Sequence, residues 1–94
     1  MSIESINVIV PPVRTKVEDA YVDILEVLKF KFPNGEVRYH VTCRIEWRGI
    51  RTRVFFIDCK DIEEFKQKIS IELAKLKIMY LTLGLKGVLE VVGK

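Results

Sequence analysis

The stretch that decides the fold reads Val37-Arg38-Tyr39-His40-Val41-Thr42-Cys43-Arg44-Ile45-Glu46-Trp47-Arg48. Apolar and polar residues alternate along it without a break. Because successive side chains of a β-strand point to opposite faces, this pattern predicts one long strand with an apolar face and a basic face. A sheet built around this strand has one face that belongs to the core and one face that is open to binding.

Turn signals on both sides of this strand predict a meander of three long strands. Asn34-Gly35 is a strong hairpin signal, and it follows an apolar run over residues 21–32. Gly49 suits the first central position of a type II′ turn, which leads into a third strand over residues 52–59. With two-residue loops at Asn34-Gly35 and Gly49-Ile50, the apolar positions of the three strands fall on one face.

A long helix is predicted after the third strand. Asp61, with Glu64 three residues later, forms a start that resembles a capping box, and Gly84 is a C-terminal stop signal. Between them apolar residues recur at helical spacing: Ile62, Phe65, Ile69, Leu73, Leu76, Tyr80 and Leu83. Residues 6–10 and 88–92 are expected to be short strands that pair with each other, and residues 13–16 are expected to form a basic loop.

These elements predict an α+β fold in a single domain that spans residues 1–94. An antiparallel β-meander of three long strands, with short terminal strands, is covered on one face by the long C-terminal helix. No apolar run approaches the roughly 18 residues of a membrane span, and the N-terminus shows no export signal. We therefore expect a cytoplasmic protein with no membrane partner.

The composition is typical of hyperthermophiles, since Gln occurs once and Asn twice while Lys, Glu, Ile and Val are abundant. In the predicted register Cys43 points to the core and Cys59 points away from it, so both are expected to be free thiols. Cys59 lies opposite His40 in that register, but two such residues without an orienting third group are weak evidence for catalysis or a metal site. We expect no enzymatic activity, no cofactor and no metal.

The face opposite the predicted core concentrates positive charge in a chain whose net charge is +3. It is expected to carry seven cations against Asp23 and Glu46, with the rings of Tyr21 and Phe55 among them. The seven cations are Lys29, Lys31, Arg38, Arg44, Arg48, Arg51 and Arg53. Cations that neutralise phosphates beside rings that stack on bases predict sequence-tolerant binding of single-stranded DNA or RNA.

Two other interpretations of this face remain open. Lys and Arg on a long strand also keep a solvated sheet soluble and discourage edge pairing. The apolar residues Leu25, Val27, Phe55 and Ile57 lie among the cations and favour contact of some kind. The alternative function is therefore a structural or protein-interaction subunit, whose sheet face docks a protein partner or a second copy of itself.

The C-terminal half of the predicted helix is apolar on nearly every side. Residues outside the stripe that faces the sheet include Ile71, Ile78, Met79 and Leu81. Because a helix that is apolar all round must be covered all round, a second subunit is expected to pack on these residues. The chain is therefore expected to be a homo-oligomer, and we favour a homodimer.

The layout of residues 21–83 resembles that of the ThermoDBP-type single-stranded-DNA-binding proteins of thermophilic archaea. The shared features are basic and aromatic antiparallel strands followed by a C-terminal helix rich in Leu and Ile. The resemblance implies a sheet-based cleft for single-stranded DNA and oligomerisation through the helix. It concerns the layout and transfers no individual binding residue.

Overall fold

The computed structural model describes the backbone of residues 4–9 and 12–92 and the side chains of residues 12–84. Its described part contains six strands and one long helical element. In chain order they are β1 (Glu4–Ile9), β2 (Val13–Val17), β3 (Ala20–Lys31), β4 (Val37–Trp47), β5 (Ile50–Arg51), β6 (Phe55–Cys59) and α1 (Ile62–Val92). Every strand pair is antiparallel and α1 packs on the sheet, so the predicted α+β class is confirmed.

β3 and β4 form the centre of the sheet. β1 and β2 both pair with β3, and β5 and β6 both pair with β4. We call the face of the sheet that α1 covers the inner face, and the opposite face the outer face. The first strand of the predicted meander, β3, thus pairs with β1 and β2 as well as with β4. The predicted third strand is divided into two short strands, β5 and β6.

α1 changes direction at Gly84, where φ is 73° and ψ is 176°. These are not helical values, so a helix does end at this glycine as predicted, and a second helical segment follows it. The strand predicted over residues 88–92 is wrong, because these residues are helical and β1 pairs with β3 instead. A short β-branched run fits a helix or a strand equally well by pattern alone. Among the described residues, no helix has the length and the apolar character needed to cross a bilayer.

The loop predicted over residues 13–16 is also wrong. These residues form β2, which pairs with β3 through a two-residue turn at Glu18-Asp19. In this strand Arg14 and Lys16 alternate with less polar residues, which is the period of a strand. The strand is only five residues long and follows two prolines, so its hydrogen-bonding partner decides its conformation.

The hairpin of β3 and β4 is confirmed, but its register at the turn is one residue away from the predicted one. Gly35 donates its backbone N–H to the Phe32 carbonyl at 3.0 Å, which closes a turn centred on Pro33 and Asn34. Pro is favoured at the first central position of such a turn, and Gly35 then takes a φ of 90°. The loop therefore contains five residues where two are predicted.

A β-bulge at Leu25 then reverses the alternation along β3. Ile24 and Glu26 pair with consecutive residues of β4, which leaves Leu25 as the extra residue. Before the bulge, Val22 and Ile24 belong to the inner face, as predicted. Beyond it the buried residue is Val27, which the prediction places on the outer face.

The turn between β4 and β5 is centred on Arg48 and Gly49, whereas the prediction centres it on Gly49 and Ile50. Both central residues have positive φ, at 53° and 77°, which is the geometry of a type I′ turn. This turn by itself would pair Cys43 with Val54, but one extra residue between β5 and β6 makes Cys43 pair with Phe55. Every side chain of β6 consequently lies on the face opposite to the predicted one.

The core lies between the inner face and α1. The sheet contributes Ala20, Val22, Val27, Val41, Cys43, Ile45, Trp47, Ile50, Ile57 and Cys59. α1 contributes Phe65, Ile69, Leu73 and Leu76. The predicted helix stripe is therefore confirmed at its centre, whereas Ile62 and Leu83 at its two ends are exposed.

The start of α1 is confirmed. The Asp61 carboxylate accepts the Glu64 N–H at 2.9 Å, and the Glu64 carboxylate accepts the Lys60 N–H at 2.8 Å. The first bond satisfies a backbone donor that a helix start leaves without a partner, and the second ties the backbone before the cap to the first turn. Lys60 follows directly on β6, so the cap also sets the angle at which the chain leaves the sheet.

Two isoleucines of α1 test this packing. Ile69 is 0% exposed and Ile62 is 60% exposed. We expect Ile69→Ala to lower the free energy of unfolding by about 2–5 kcal/mol, because it leaves a cavity in the core. Ile62→Ala is expected to change it by no more than about 0.5 kcal/mol. Urea denaturation followed by circular dichroism measures both, and equal losses of stability would contradict the placement of the helix.

Candidate functional site

The outer face presents the polar half of β4 and the residues that pair with it. β4 contributes Arg38, His40, Thr42, Arg44 and Glu46. The neighbouring strands add Arg14, Lys16, Tyr21, Asp23, Glu26, Leu28, Phe30, Arg51, Phe56 and Asp58. Of the predicted site residues, the structure places four on this face: Tyr21, Arg38, Arg44 and Arg51.

Two predicted site residues lie on the inner face. Lys29 pairs with Tyr39 and Lys31 pairs with Val37, and both of these partners belong to the inner half of β4. The cause is the turn at Pro33, which shifts the pairing by one residue and so moves each side chain of this part of β3 to the other face.

Three more predicted site residues lie away from the outer face. The Arg48 guanidinium stands 5.0 Å from the centre of the Trp47 ring, which belongs to the core. Arg53 falls between β5 and β6 and lines a groove beside α1. Phe55 is half-buried and packs against the core. The displaced register of β6 explains Phe55, and the turn centred on Arg48 explains the position of that arginine.

A row of alternating charges crosses the outer face. Arg14 donates hydrogen bonds to Asp23 at 2.8 Å and to Glu46 at 2.6 Å. Arg44 donates to the other oxygen of Asp23 at 3.3 Å, and Arg51 approaches Glu46 at 3.8 Å. Three guanidinium groups thus share two carboxylates, which leaves one positive charge in the row.

Asp23 is the most enclosed member of this row, with its side chain 13% exposed. The hydrogen bond from Arg14 does most to hold the pKa of Asp23 below its ordinary value, and Arg44 adds to the effect, while burial opposes it. The same contacts raise the pKa of Arg14 above its ordinary value. Both groups therefore stay charged over the physiological pH range.

Arg38 is held in a similar way at the other end of β4. It donates to Asp58 at 3.1 Å and approaches Glu64 at 3.5 Å. The hydrogen bond to Asp58 raises the pKa of Arg38. This guanidinium therefore links β4, β6 and the first turn of α1.

Among the side chains that the structure describes, the outer face is close to neutral. It carries the cations Arg14, Lys16, Arg38, Arg44 and Arg51 and the carboxylates Asp23, Glu26, Glu46 and Asp58. The large excess of positive charge predicted for this face is wrong. Four of the seven predicted cations lie elsewhere, and Glu26 and Asp58 join the face through the changed register.

An exposed aromatic cluster occupies the end of the outer face near Arg38. Phe56 is 64% exposed, and its ring centre lies 4.8 Å from that of His40. Phe30 meets His40 edge-on at 6.3 Å. The predicted register assigns Phe56 to the core in place of Phe55. Since both residues are apolar, alternation alone does not distinguish them, and the displaced pairing of β6 is what exposes Phe56.

A second exposed ring stands at the other end of this face. Tyr21 is 44% exposed. The Arg14 guanidinium lies 5.1 Å from its ring centre, and the Lys16 ammonium lies 5.9 Å from it. Cations at these distances are attracted to an aromatic ring. β2, which the sequence pattern assigns to a loop, supplies both of them.

Cys59 faces the core, where the prediction has it face outward. It pairs with Tyr39, and His40 pairs with Asp58, so the predicted pairing of His40 with Cys59 is wrong. Both cysteines are free, as expected. Burial is the main cause that raises the pKa of Cys43 to about 12, and it also raises the pKa of Cys59. A buried thiol with a raised pKa is a poor nucleophile.

The inner face is open beside the start of α1. An apolar cleft of about 420 Å³ lies there between β3, β4 and the first turn of the helix, and Lys60 and Asp61 also line it. Lys29 pairs with Tyr39 of the cleft wall, which places this lysine on the same face. Within the described residues, no three His, Cys, Asp or Glu side chains come together as a group that holds a metal ion.

The residues predicted as an oligomer interface divide into two groups. Ile71, Ile78 and Leu81 are exposed, and Leu81 reaches 82%. Met79 instead packs partly against the core.

Comparisons with protein-family models, with curated proteins and with solved structures find no match for this chain. The two exposed rings and the charge row of the outer face are therefore the basis for a functional proposal.

Asp23 predicts a pH dependence of stability. Because its pKa in the folded state lies below the ordinary value of about 3.9, its contribution is present above that pH and is lost as the pH falls through the folded pKa. We expect the free energy of unfolding of the wild type to fall more steeply below about pH 4 than that of Asp23→Asn. Urea denaturation at a series of pH values measures this, and a difference that does not change with pH would contradict it.

Proposed function

We propose that this chain binds single-stranded DNA or RNA on the outer face of its sheet, with little sequence preference. The observation that carries the proposal is the pair of exposed rings, Phe56 and Tyr21, which stand among cations on an open antiparallel sheet. Any base can stack on such a ring, for roughly 1–3 kcal/mol per base. Aromatic residues on the face of an antiparallel sheet bind single-stranded RNA in this way.

The spacing of the two rings supports binding to an extended strand. Tyr21 pairs with Glu46 and Phe56 pairs with Thr42, so the rings lie four residues apart along β4 and two strands apart across the sheet. Strand geometry converts this offset into about 16 Å. A chain of nucleotides that touches both rings crosses the charge row, where Arg44 lies between them.

The cations of the outer face remain available to phosphates although they hold carboxylates. An exposed ion pair contributes only about 0–1 kcal/mol, so a phosphate replaces a carboxylate at little cost. The ion pair of Arg51 with Glu46, at 3.8 Å, has the longest distance of the pairs described for the row. Lys16 lies against the Tyr21 ring. Because the face is close to neutral, we expect moderate affinity and a shallow dependence on salt.

Phe56→Ala tests the stacking surface. We expect this change to weaken binding of a fluorescently labelled homopolymeric single strand by roughly 5- to 150-fold, the equivalent of one stacked base. Val13→Ala is the matched control, since Val13 is 41% exposed and pairs with the inner-face residue Ile24. Fluorescence anisotropy at low salt measures all three proteins. Absence of binding by the wild type, or equal affinity of wild type and Phe56→Ala, would sink the proposal.

A pair of double variants tests which face binds the phosphates. Lys16→Ala with Arg51→Ala removes two cations from the outer face, and Lys29→Ala with Lys31→Ala removes two from the inner face. For single strands we expect the slope of log affinity against log salt to become shallower by about 0.7 for each phosphate that the outer face no longer neutralises. The inner-face variant is expected to keep the wild-type slope. The reverse result would place the nucleic acid at the inner cleft and contradict the proposal.

A second candidate function is a protein-interaction subunit whose outer face docks a protein partner. It is supported by the near balance of charge on this face together with the exposure of Phe56. A protein partner at such a surface gives a complex that depends little on salt, in contrast to a polyanion. Titration with labelled single-stranded DNA and RNA at low salt therefore separates the two candidates, because a protein-interaction subunit binds neither.

A further inference from the structure

One edge of β6 has no neighbouring strand in the part of the chain that the structure describes. β6 pairs with β4 on one side, and within the described backbone, residues 4–9 and 12–92, no strand pairs with its other side. An unpaired edge presents a row of backbone N–H and C=O groups, to which another strand can be added. Lysine and proline protect such edges in many sheets, and β6 contains neither. We call this side of β6 the free edge.

The backbone groups of Phe56 and Asp58 point to the free edge. The Ile45 carbonyl accepts the Thr52 N–H at 2.9 Å, so the backbone groups of Ile45 and of every second residue before it point toward β6. The odd-numbered residues of β6 pair with this set, which leaves the even-numbered ones pointing away from β4. Lys68 of α1 donates a hydrogen bond to the Asp58 carbonyl, in agreement with this orientation. The N–H and C=O of Phe56 and the N–H of Asp58 thus remain for an added strand.

A groove runs between the free edge and α1. It consists of two adjoining hollows of about 250 Å³ each, which share Phe55. Leu76 and Met79 line the first hollow, and Ile57 and Ile71 line the second. The α1 residues of the two hollows are centred about five positions apart, which is ~8 Å along a helix. Alternate side chains of a strand are ~7 Å apart, so two residues of an added strand, at positions i and i+2, reach both hollows.

The charges of the groove favour a partner that is acidic at one end. The cations that line it are Arg53, Lys68 and Lys75 and the carboxylates are Asp58 and Glu72, so its described side chains carry one net positive charge. Lys75 holds Glu72 at 3.0 Å, whereas Arg53 forms no ion pair with any side chain that the structure describes. Arg53 lines the first hollow, beside the amino end of β6. A ligand carboxylate at this position completes an ion pair.

We infer that the groove binds an extended peptide segment of a partner protein, as a strand added antiparallel to β6. A strand both satisfies the backbone groups of the free edge and places side chains at the i, i+2 spacing of the hollows. Antiparallel addition continues the described sheet, in which every pair is antiparallel. The segment places two large apolar side chains in the hollows. An acidic residue at its carboxyl end lies near Arg53, because that end of an antiparallel strand meets the amino end of β6.

A second copy of the chain does not supply this strand from its own β6. The side chains that would enter the hollows, Ile57 and Cys59, are 4% and 2% exposed because they pack in the core of their own copy. An extended segment of a partner has no such packing to give up. The inference does not rest on the binding of nucleic acid to the outer face, so the two proposals can fail separately.

Two peptides of equal composition test the spacing of the hollows. The probe is the acetylated and amidated hexapeptide Thr-Ile-Thr-Ile-Thr-Asp, and the control is Thr-Ile-Ile-Thr-Thr-Asp, whose isoleucines point to opposite faces of a strand. We expect the probe to shift the backbone amide signals of β6 and of residues 68–79 in ¹⁵N–¹H spectra, and the control to bind at least about 10-fold more weakly. Equal binding of both peptides, or no shift at millimolar probe, would overturn the inference, as would β6 shifts that depend on protein concentration alone.

Two N-methylated forms of the probe test the pairing of the backbones. One form is methylated at the backbone nitrogens of both isoleucines, and the other at those of the second and third threonines. In a strand added to β6, only one of these alternate sets of N–H groups points to the free edge. We therefore expect one form to lose binding and the other to keep it. Equal binding of the two forms, or loss of binding by both, would contradict strand addition, and this test needs no change to the protein.

Two isoleucines of similar exposure test the place of binding on α1. Ile71 lines the second hollow and is 57% exposed, whereas Ile78 is 60% exposed and is not among the residues that line the groove. We expect Ile71→Asp to weaken binding of the probe at least about 10-fold and Ile78→Asp to leave it unchanged. Circular dichroism checks that both variants keep their fold. Equal affinity of the two variants would place the peptide elsewhere and overturn the inference.

A charge reversal tests the orientation of the peptide. The wild type is expected to prefer the probe that ends in Asp to the same peptide ending in Lys, and Arg53→Glu is expected to reverse this preference. A probe with Asp moved to its amino end is the control for direction and is expected to be insensitive to Arg53→Glu. The same preference in both proteins would overturn the contact with Arg53, and sensitivity of the control alone would overturn the antiparallel orientation.

Discussion

The pairing register of β4 with its neighbours is the constraint on which the core and the candidate site both depend. Side chains alternate along a strand, so a displacement by one residue exchanges the buried set for the exposed set. The turn centred on Pro33-Asn34 sets this register for the adjoining part of β3. On the other side of β4, one extra residue between β5 and β6 sets it, because the pairing of Trp47 with Ile50 would otherwise continue to Cys43 with Val54. This extra residue brings Phe55 to the core and Phe56 to the solvent. The composition of the outer face is thus decided by the backbone geometry of one turn, the Leu25 bulge and the break between β5 and β6.

The sequence predicts the parts of this fold whose signal is local and periodic. The alternation of β4 and the central stripe of α1 repeat many times, and the structure places both as predicted. The Leu25 bulge and the positive φ of Arg48 give no periodic signal in the sequence. Tertiary packing decides whether the free-energy cost of such backbone conformations is offset. On β6, Phe55, Phe56 and Ile57 are all apolar, so a register error there leaves the pattern unchanged. The site residues of β4 were predictable from its alternation, and Tyr21 and Arg51 also lie on the predicted face because their pairing with β4 is displaced by two residues, which keeps the face.

The charge row shows why net charge by itself is a weak guide to a binding face. Arg14 and Glu46 lie 32 residues apart in the chain, and only the addition of β2 to the sheet brings them together. A guanidinium that is bonded to a neighbouring carboxylate adds little net charge to the face. It is fixed in place before any ligand arrives, so it can orient a ligand. The candidate face therefore relies on the exposed rings for affinity and on the arginines for orientation, which is a different balance from the one that a strongly basic sheet implies.

α1 has two apolar sides, and a single sheet covers only one of them. One side of the helix closes the core through Ile69 and Leu73, and the other side exposes Ile71, Ile78 and Leu81. A helix with two apolar sides needs a covering surface on each, and the described sheet lies on one side only. The outer half of β4, whose alternation decides the fold, lies on the side of the described sheet that α1 does not cover, so the core and the proposed binding face share one strand.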